Sequence, residues 1–241
     1  MLNKYYSEVL KEGSKDFGLL LTDEQIEKFS MYADLLVEWN EKVNLTAITD
    51  PEGIVIKHFL DSLSIVPFIP GEAKNLIDIG TGAGFPGIPL KIILGHLEVT
   101  LLDSLDKRVK FLNEICNSLA LKNIMSVHGR AEDFGINKDY RERFDIVTAR
   151  AVANLPVLLE YCLPFVKTGG LFIAMKGPDA EAELKESQKA LDILGGEVKT
   201  LKKFTLPHSD IERCAIIIKK CRQTPTNYPR KSGKPTKQPI K

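Results

Sequence analysis

Apolar positions along this chain follow two periods, and the two kinds of segment are sorted by position. Ile26, Phe29, Ala33, Leu36 and Val37 recur at helical spacing up to Trp39, and Thr22-Asp23-Glu24-Gln25 ahead of them reads as a capping box. A second amphipathic helix is predicted beyond Asp50-Pro51, with Ile54, Val55, Phe59, Leu60 and Leu63 on its apolar face and Pro67, Pro70 and Gly71 closing it. Short apolar runs then take over at 76–79, 98–103, 124–128, 144–149 and 170–175. Helical patterns lie between them at 88–94 and over Leu105, Val109, Leu112, Ile115 and Leu119. After Gly195-Gly196 two last strands, about 197–204 and 213–219, are expected as an antiparallel hairpin finishing the sheet. Strand and helix in alternation predict an α/β fold: a mainly parallel, seven-stranded sheet with helices on both faces and ligands at the carboxyl ends of its strands.

Composition adds a domain plan. With 241 residues and 44% hydrophobic content, the chain can bury a full core. A helical N-terminal extension (1–70), an α/β domain (71–220) and a basic, Pro-rich tail (221–241) are expected. No run approaches the ~18 apolar residues of a membrane span, and Met1-Leu2-Asn3-Lys4 opens no signal peptide, so a cytoplasmic protein with no membrane partner is expected, as a monomer. Cys116, Cys162, Cys214 and Cys221 form no C-x-x-C pair, and neither zinc nor a disulfide framework is indicated. The total charge of +1 hides an asymmetry: the tail holds Arg222, Arg230, Lys231, Lys234, Lys237 and Lys241 with no acid, leaving −5 for the first 220 residues. Pro225, Pro229, Pro235 and Pro239 predict an extended, mobile arm that could lie along phosphates, with Tyr228 placed to stack on a base. A solubilising end remains the alternative.

The candidate chemistry centres on Leu76-Ile77-Asp78-Ile79-Gly80-Thr81-Gly82-Ala83-Gly84, an apolar strand running into alternating glycines. Such a bend brings backbone close to a ligand, and Asp78 offers a carboxylate better suited to a cationic adenosyl cofactor, S-adenosylmethionine, than to a pyrophosphate. Gly82-Ala83-Gly84-Phe85-Pro86-Gly87 matches the dinucleotide fingerprint as a string, but out of register: counted from Gly80, the third glycine position is Phe85. Asp103, 23 residues beyond Gly80, can accept from ribose hydroxyls or cap the helix that follows. The strand ends also carry Gly129-Arg130-Ala131-Glu132, Arg150 and Lys176-Gly177. His58, Asp61 and Ser62 share one helix face and predict a polar stripe meeting the α/β domain or a substrate entrance rather than a catalytic triad. Lys107, Arg108 and Lys110 read as a solvated face.

Trp39-Asn40, Asn44-Leu45-Thr46-Ala47-Ile48, His58-Phe59-Leu60-Asp61-Ser62, the segment from Asp78 through Gly84-Phe85-Pro86-Gly87-Ile88-Pro89-Leu90, Gly129-Arg130-Ala131-Glu132, Thr148-Ala149-Arg150-Ala151 and Tyr228-Pro229-Arg230-Lys231 together resemble the RsmG (GidB) family. The resemblance runs from about Trp39 to the C-terminus. It implies a class I, Rossmann-like S-adenosylmethionine-dependent methyltransferase fold and transfer of a methyl group to N7 of a guanine in 16S ribosomal RNA, naked or in an assembling 30S particle. It places cofactor contacts on Gly80, Phe85, Ala131, Glu132 and Arg150, beside Asp78, Gly82, Gly84 and Asp103. Arg150 is expected to pair with Asp78, Glu132 or the methionyl carboxylate. Arg150 and Lys176 are candidates for substrate positioning, and Arg222, Tyr228, Arg230, Lys231, Lys234 and Lys237 for RNA binding. Methylation at a ring nitrogen needs alignment more than a general base. Another substrate for the same cofactor, or a non-catalytic dinucleotide-binding module, stays open.

Overall fold

The protein is described here by a computed structural model over residues 2–240, so Lys241, the last of the tail's cations, lies outside the described residues. Its sheet is built from β1 (Asn75–Ile79), β2 (Glu98–Asp103), β3 (Ile124–His128), β4 (Phe144–Arg150), β5 (Val166–Lys176), β6 (Gly196–Thr205) and β7 (Glu212–Lys220). The order is β3-β2-β1-β4-β5-β7-β6. β1 through β5 pair in parallel, and only β7 runs antiparallel to its neighbours, as the closing hairpin requires. Chain order reverses between β1 and β4, and a crevice opens beyond their carboxyl ends. β1 and β4 are almost wholly buried, which explains why they read as continuous apolar runs.

One face of the sheet is covered by α5 (Gly87–Ile93), α6 (Asp106–Ser118) and the N-terminal helices. These are α1 (Lys4–Lys15), α2 (Asp23–Val43), and a composite rod of α3 (Pro51–Gly53), a π-helical stretch (Ile54–Leu60) and α4 (Asp61–Leu63). The capping box forms, with Thr22 Oγ1 accepting from the Gln25 amide and Gln25 Oε1 accepting from the Thr22 amide. α2 stops where Asn44 turns left-handed (φ 49°), a conformation asparagine tolerates. Phe29, Tyr32 and Phe59 share one hydrophobic core with Phe85 and Leu112. The rod is less amphipathic than its sequence predicts: in the π-helical stretch every residue but Lys57 is buried. The opposite face carries α8 (Leu155–Cys162) and α10 (Gln188–Leu194), with the shorter α7 (Ala131–Phe134) and α9 (Ala180–Glu186) flanking them.

The tail is not the mobile arm expected from its prolines. Glu160, fully buried in α8, takes the Arg230 guanidinium through both oxygens at 2.6–3.1 Å and also the Arg230 amide. Arg141 donates to the carbonyls of Thr224, Pro225 and Tyr228, a short α11 (Lys234–Lys237) follows, and Pro235 and Ile240 are buried. Proline prevents a long helix, and the carbonyls that irregular backbone leaves unpaired become acceptors for Arg141.

Candidate functional site

β1 runs into the crevice through Gly80, Gly82 and Gly84, all at positive φ (66°, 62° and 97°). The glycines do different work. A Cβ on Gly82 would meet nothing within 4 Å, so its open side faces a cavity, whereas one on Gly84 would sit 2.6 Å from the Tyr32 hydroxyl. Gly84 therefore serves the packing of α2, whose Tyr32 hydroxyl donates to the Ala83 carbonyl. Asp78 also departs from expectation. It is fully buried, accepting from Thr81 Oγ1 (2.6 Å), the Gly87 amide (3.0 Å) and Thr148 Oγ1 (3.0 Å), and burial pushes its pKa up to about 6. All three donors belong to the bend and its neighbours, so this carboxylate fastens the loop and lines neither of the cavities beside it.

Two cavities meet at Gly80. The smaller, about 250 Å³, lies over the ends of β2 and β3 and is walled by Asp103, Ala131, Glu132, Val152 and Tyr161. Asp103 takes the Gly82 amide on Oδ2 (2.8 Å) and the Leu105 amide on Oδ1 (2.9 Å), so it ties the bend to the next loop while lining the cavity. The tail crosses this end: Gly233 donates to Glu132 Oε1 (3.3 Å), Arg130 to Ser232 Oγ (2.5 Å), and the Tyr161 and Thr236 hydroxyls are 3.0 Å apart.

The larger cavity, about 570 Å³, lies between the glycine bend and the composite rod. Five cationic side chains and two carboxylates line it, and the carboxylates are engaged. Asp61 takes Arg150 Nη1 at 2.7 Å and Arg213 Nε at 3.1 Å, and Glu183 takes Lys176 Nζ at 2.7 Å. Arg150 thus pairs with Asp61 rather than with Asp78 or Glu132, and its guanidinium lies 5.0 Å from the Phe85 ring centroid. His58 stacks on Phe85 at 4.4 Å. Burial, reinforced by the charge of Arg150, lowers the His58 pKa to about 3, so the ring is neutral. Lys176 also donates to the Ala153 carbonyl and is almost buried, which favours a role in bracing the loop after β4 over direct substrate contact.

The sheet therefore gathers Gly80, Gly82, Phe85, Arg150 and Lys176 at the larger cavity, and Asp103, Ala131 and Glu132 at the smaller. Among the proposed RNA contacts, Arg230 is held by Glu160 and Arg222 by Asp192, Tyr228 is half-buried with its carbonyl bonded to Arg141, while Lys231, Lys234 and Lys237 are exposed. Arg108, read as part of a solvated face, lines the larger cavity 3.4 Å from Asp103. Thr46, Asp61 and Arg213 join the site as well, and of these only the Asn44-Leu45-Thr46 and His58-Asp61 patterns carried a signal in the sequence.

Residues 25–212 match the family model described as GidB, rRNA small subunit methyltransferase G. The chain belongs to this family. Curated proteins named ribosomal RNA small subunit methyltransferase G share 62% identity over 96% of both chains in Acetivibrio thermocellus, 54% over 97% of this chain and 98% of the other in Alkaliphilus oremlandii, and 51% over 99% of this chain and all of the other in Clostridium botulinum. The solved ribosomal protein L11 methylase of Lactobacillus delbrueckii subsp. bulgaricus matches with a TM-score of 0.50 at 18% identity, over 68% of this chain and 77% of that chain. That likeness shows the fold, the Rossmann-like methyltransferase sheet.

Proposed function

We propose that this protein transfers a methyl group from S-adenosylmethionine to N7 of a guanine in 16S ribosomal RNA, as a cytoplasmic monomer acting on the small-subunit RNA or an assembling 30S particle. The family match over residues 25–212 is the observation that carries the reading. When bound, S-adenosylmethionine supplies a methyl group activated by a sulfonium. The residues present fit it: Gly82 leaves an open side where a Cβ would intrude, Ala131 keeps the smaller cavity roomy, and Asp103 and Glu132 retain lone pairs for ribose hydroxyls and an exocyclic amine. Phe85 walls the cavity, and Arg150, ion-paired with Asp61, gives it a polar edge.

The chemistry of the larger cavity supports a ring nitrogen as nucleophile. Its carboxylates are paired, and His58 is committed as an acceptor from Arg150, which leaves no free base among the described groups. N7 of guanine carries a lone pair and no proton, so holding it in line and excluding water suffices. A thiolate route to a pyrimidine carbon finds no support: burial raises the Cys162 thiol well above its usual value and Cys116 to about 11, and no cysteine lines either cavity. Exposed Lys231, Lys234 and Lys237, with the cationic excess of the larger cavity, suit phosphate contacts. Labelled methyl transfer onto 30S subunits, with the product nucleotide mapped, tests the reading. A single 7-methylguanosine in 16S RNA is expected, and label on protein, on small metabolites or on another base position contradicts it.

A further inference from the structure

A chain of hydrogen bonds with fixed polarity ends at the larger cavity. It starts at Arg150, whose guanidinium can only donate. Arg150 Nη2 lies 3.2 Å from His58 Nδ1, so Nδ1 must be the bare, accepting nitrogen of a neutral ring. The other tautomer would set an N–H on Nδ1 against the guanidinium N–H that already points at it. His58 Nε2 therefore carries the proton and donates to Thr46 Oγ1 at 2.9 Å. The Ile48 amide donates to the same oxygen at 3.0 Å. Both lone pairs of the Thr46 hydroxyl are thus taken, and the one hydrogen-bonding capacity left to it is its own O–H.

That hydroxyl is held in place. Asn44 ends α2 in the left-handed region, and the Asn40 carboxamide oxygen accepts from the Leu45 amide (2.6 Å) and the Thr46 amide (2.8 Å), so the loop carrying Thr46 is fixed to the helix it leaves. Thr46 lines the larger cavity together with Gly80, Phe85, His58 and Arg150.

The geometry points to Thr46 as a specificity-determining donor: its hydroxyl, polarised one way by Arg150 and His58, reads the O6 keto oxygen of the target purine beside the reactive N7. This rests on the guanine-N7 reading above and deepens it. Guanine shows two acceptors, N7 and O6, along that edge, whereas adenine shows N7 and an N6 donor. A hydroxyl with no free lone pair welcomes the first and meets the second with N–H against O–H, so adenine is rejected as well as guanine accepted. His58 is the positioning residue, acting through Thr46.

The test uses 30S subunits reconstituted with guanosine, inosine or 2-aminopurine at the mapped target position. Inosine keeps O6, and 2-aminopurine lacks it. The intact protein should methylate inosine within about threefold of guanosine and 2-aminopurine at least about tenfold more slowly, the worth of one lost hydrogen bond at a desolvated site. Thr46→Val should lose about tenfold in kcat/KM on guanosine, lose the difference between inosine and 2-aminopurine, and still bind S-adenosylhomocysteine, while Thr46→Ser restores most of the activity. Equal rates on inosine and 2-aminopurine with the intact protein overturn the inference whether or not Thr46→Val folds. Failure to methylate even the guanosine subunits overturns the function beneath it instead, and the inference falls with that reading.

Discussion

Asp78 ties the bend together through three donors, and its protonation gives a signature. Its pKa lies near 6 in the fold against an ordinary 3.8, because desolvation outweighs the donors of Thr81, Gly87 and Thr148. The native state therefore holds this proton more tightly than the unfolded chain between about pH 4 and 6. The associated stability is present below pH 4 and is lost as pH rises through 6. Relative to Asp78→Asn, whose amide does not titrate, the intact protein should lose about 2 kcal/mol between pH 4 and 7, measured by urea unfolding at each pH. Parallel profiles for the two proteins would contradict this. At Gly82 the demand is conformational and spatial at once. Gly82→Ala should cost about 1 kcal/mol for a Cβ at φ 62° and put a methyl group into the larger cavity. A small drop in Tm with at least tenfold weaker S-adenosylhomocysteine binding by calorimetry is expected, and undiminished affinity in the folded variant would count against the site.

The strap from Tyr228 to α11 depends on one buried ion pair. Arg230→Ala leaves Glu160 uncompensated inside α8, a change that typically costs 3–5 kcal/mol, and the strap should release rather than the domain unfold. Trypsin should then cut after Lys231 or Lys237 at a concentration that spares the parent protein, whereas equal resistance would show that other contacts hold the segment. Nothing local in the tail announces this fastening. Its prolines and charges read as an open arm, because its partners, Glu160 and Arg141, lie 70 and 87 residues away from Arg230 and Tyr228 respectively. The central strands β1, β2 and β4, by contrast, were readable almost residue by residue, since burial on both faces leaves unbroken apolar runs between polar loops. α1 is amphipathic, but its core-facing apolar residues, Tyr6, Val9 and Leu10, span little more than one turn of its twelve residues, a short signal beside those of the later helices. The π-helical stretch hid its character for the opposite reason, being buried nearly all round.

Across the whole molecule, charge is divided between the two cavities: cations dominate the larger, while Asp103 and Glu132 wall the smaller. That division suits a nucleoside's hydroxyls at one end and a phosphate backbone at the other. Replacing Lys231, Lys234 and Lys237 together with Gln should flatten the salt dependence of RNA affinity by up to about 2 in log–log slope, at roughly 0.7 per single-strand phosphate contact. An unchanged slope would place RNA elsewhere. The glycine bend and the acids at the strand ends were legible because each follows an apolar run at a fixed offset. The Arg150–His58–Thr46 chain was only half legible, since its members come from β4, the π-helical stretch and the loop after α2, which folding alone brings together. The account turns on the crevice beyond β1 and β4 as the seat of the methyl donor. A crystal structure with S-adenosylhomocysteine tests that most directly. The account predicts the ligand across the junction at Gly80, its nucleoside beside Asp103 and Glu132 and its sulfur toward the cavity under Thr46. Density elsewhere, or exclusion of that ligand in favour of a dinucleotide, would contradict it.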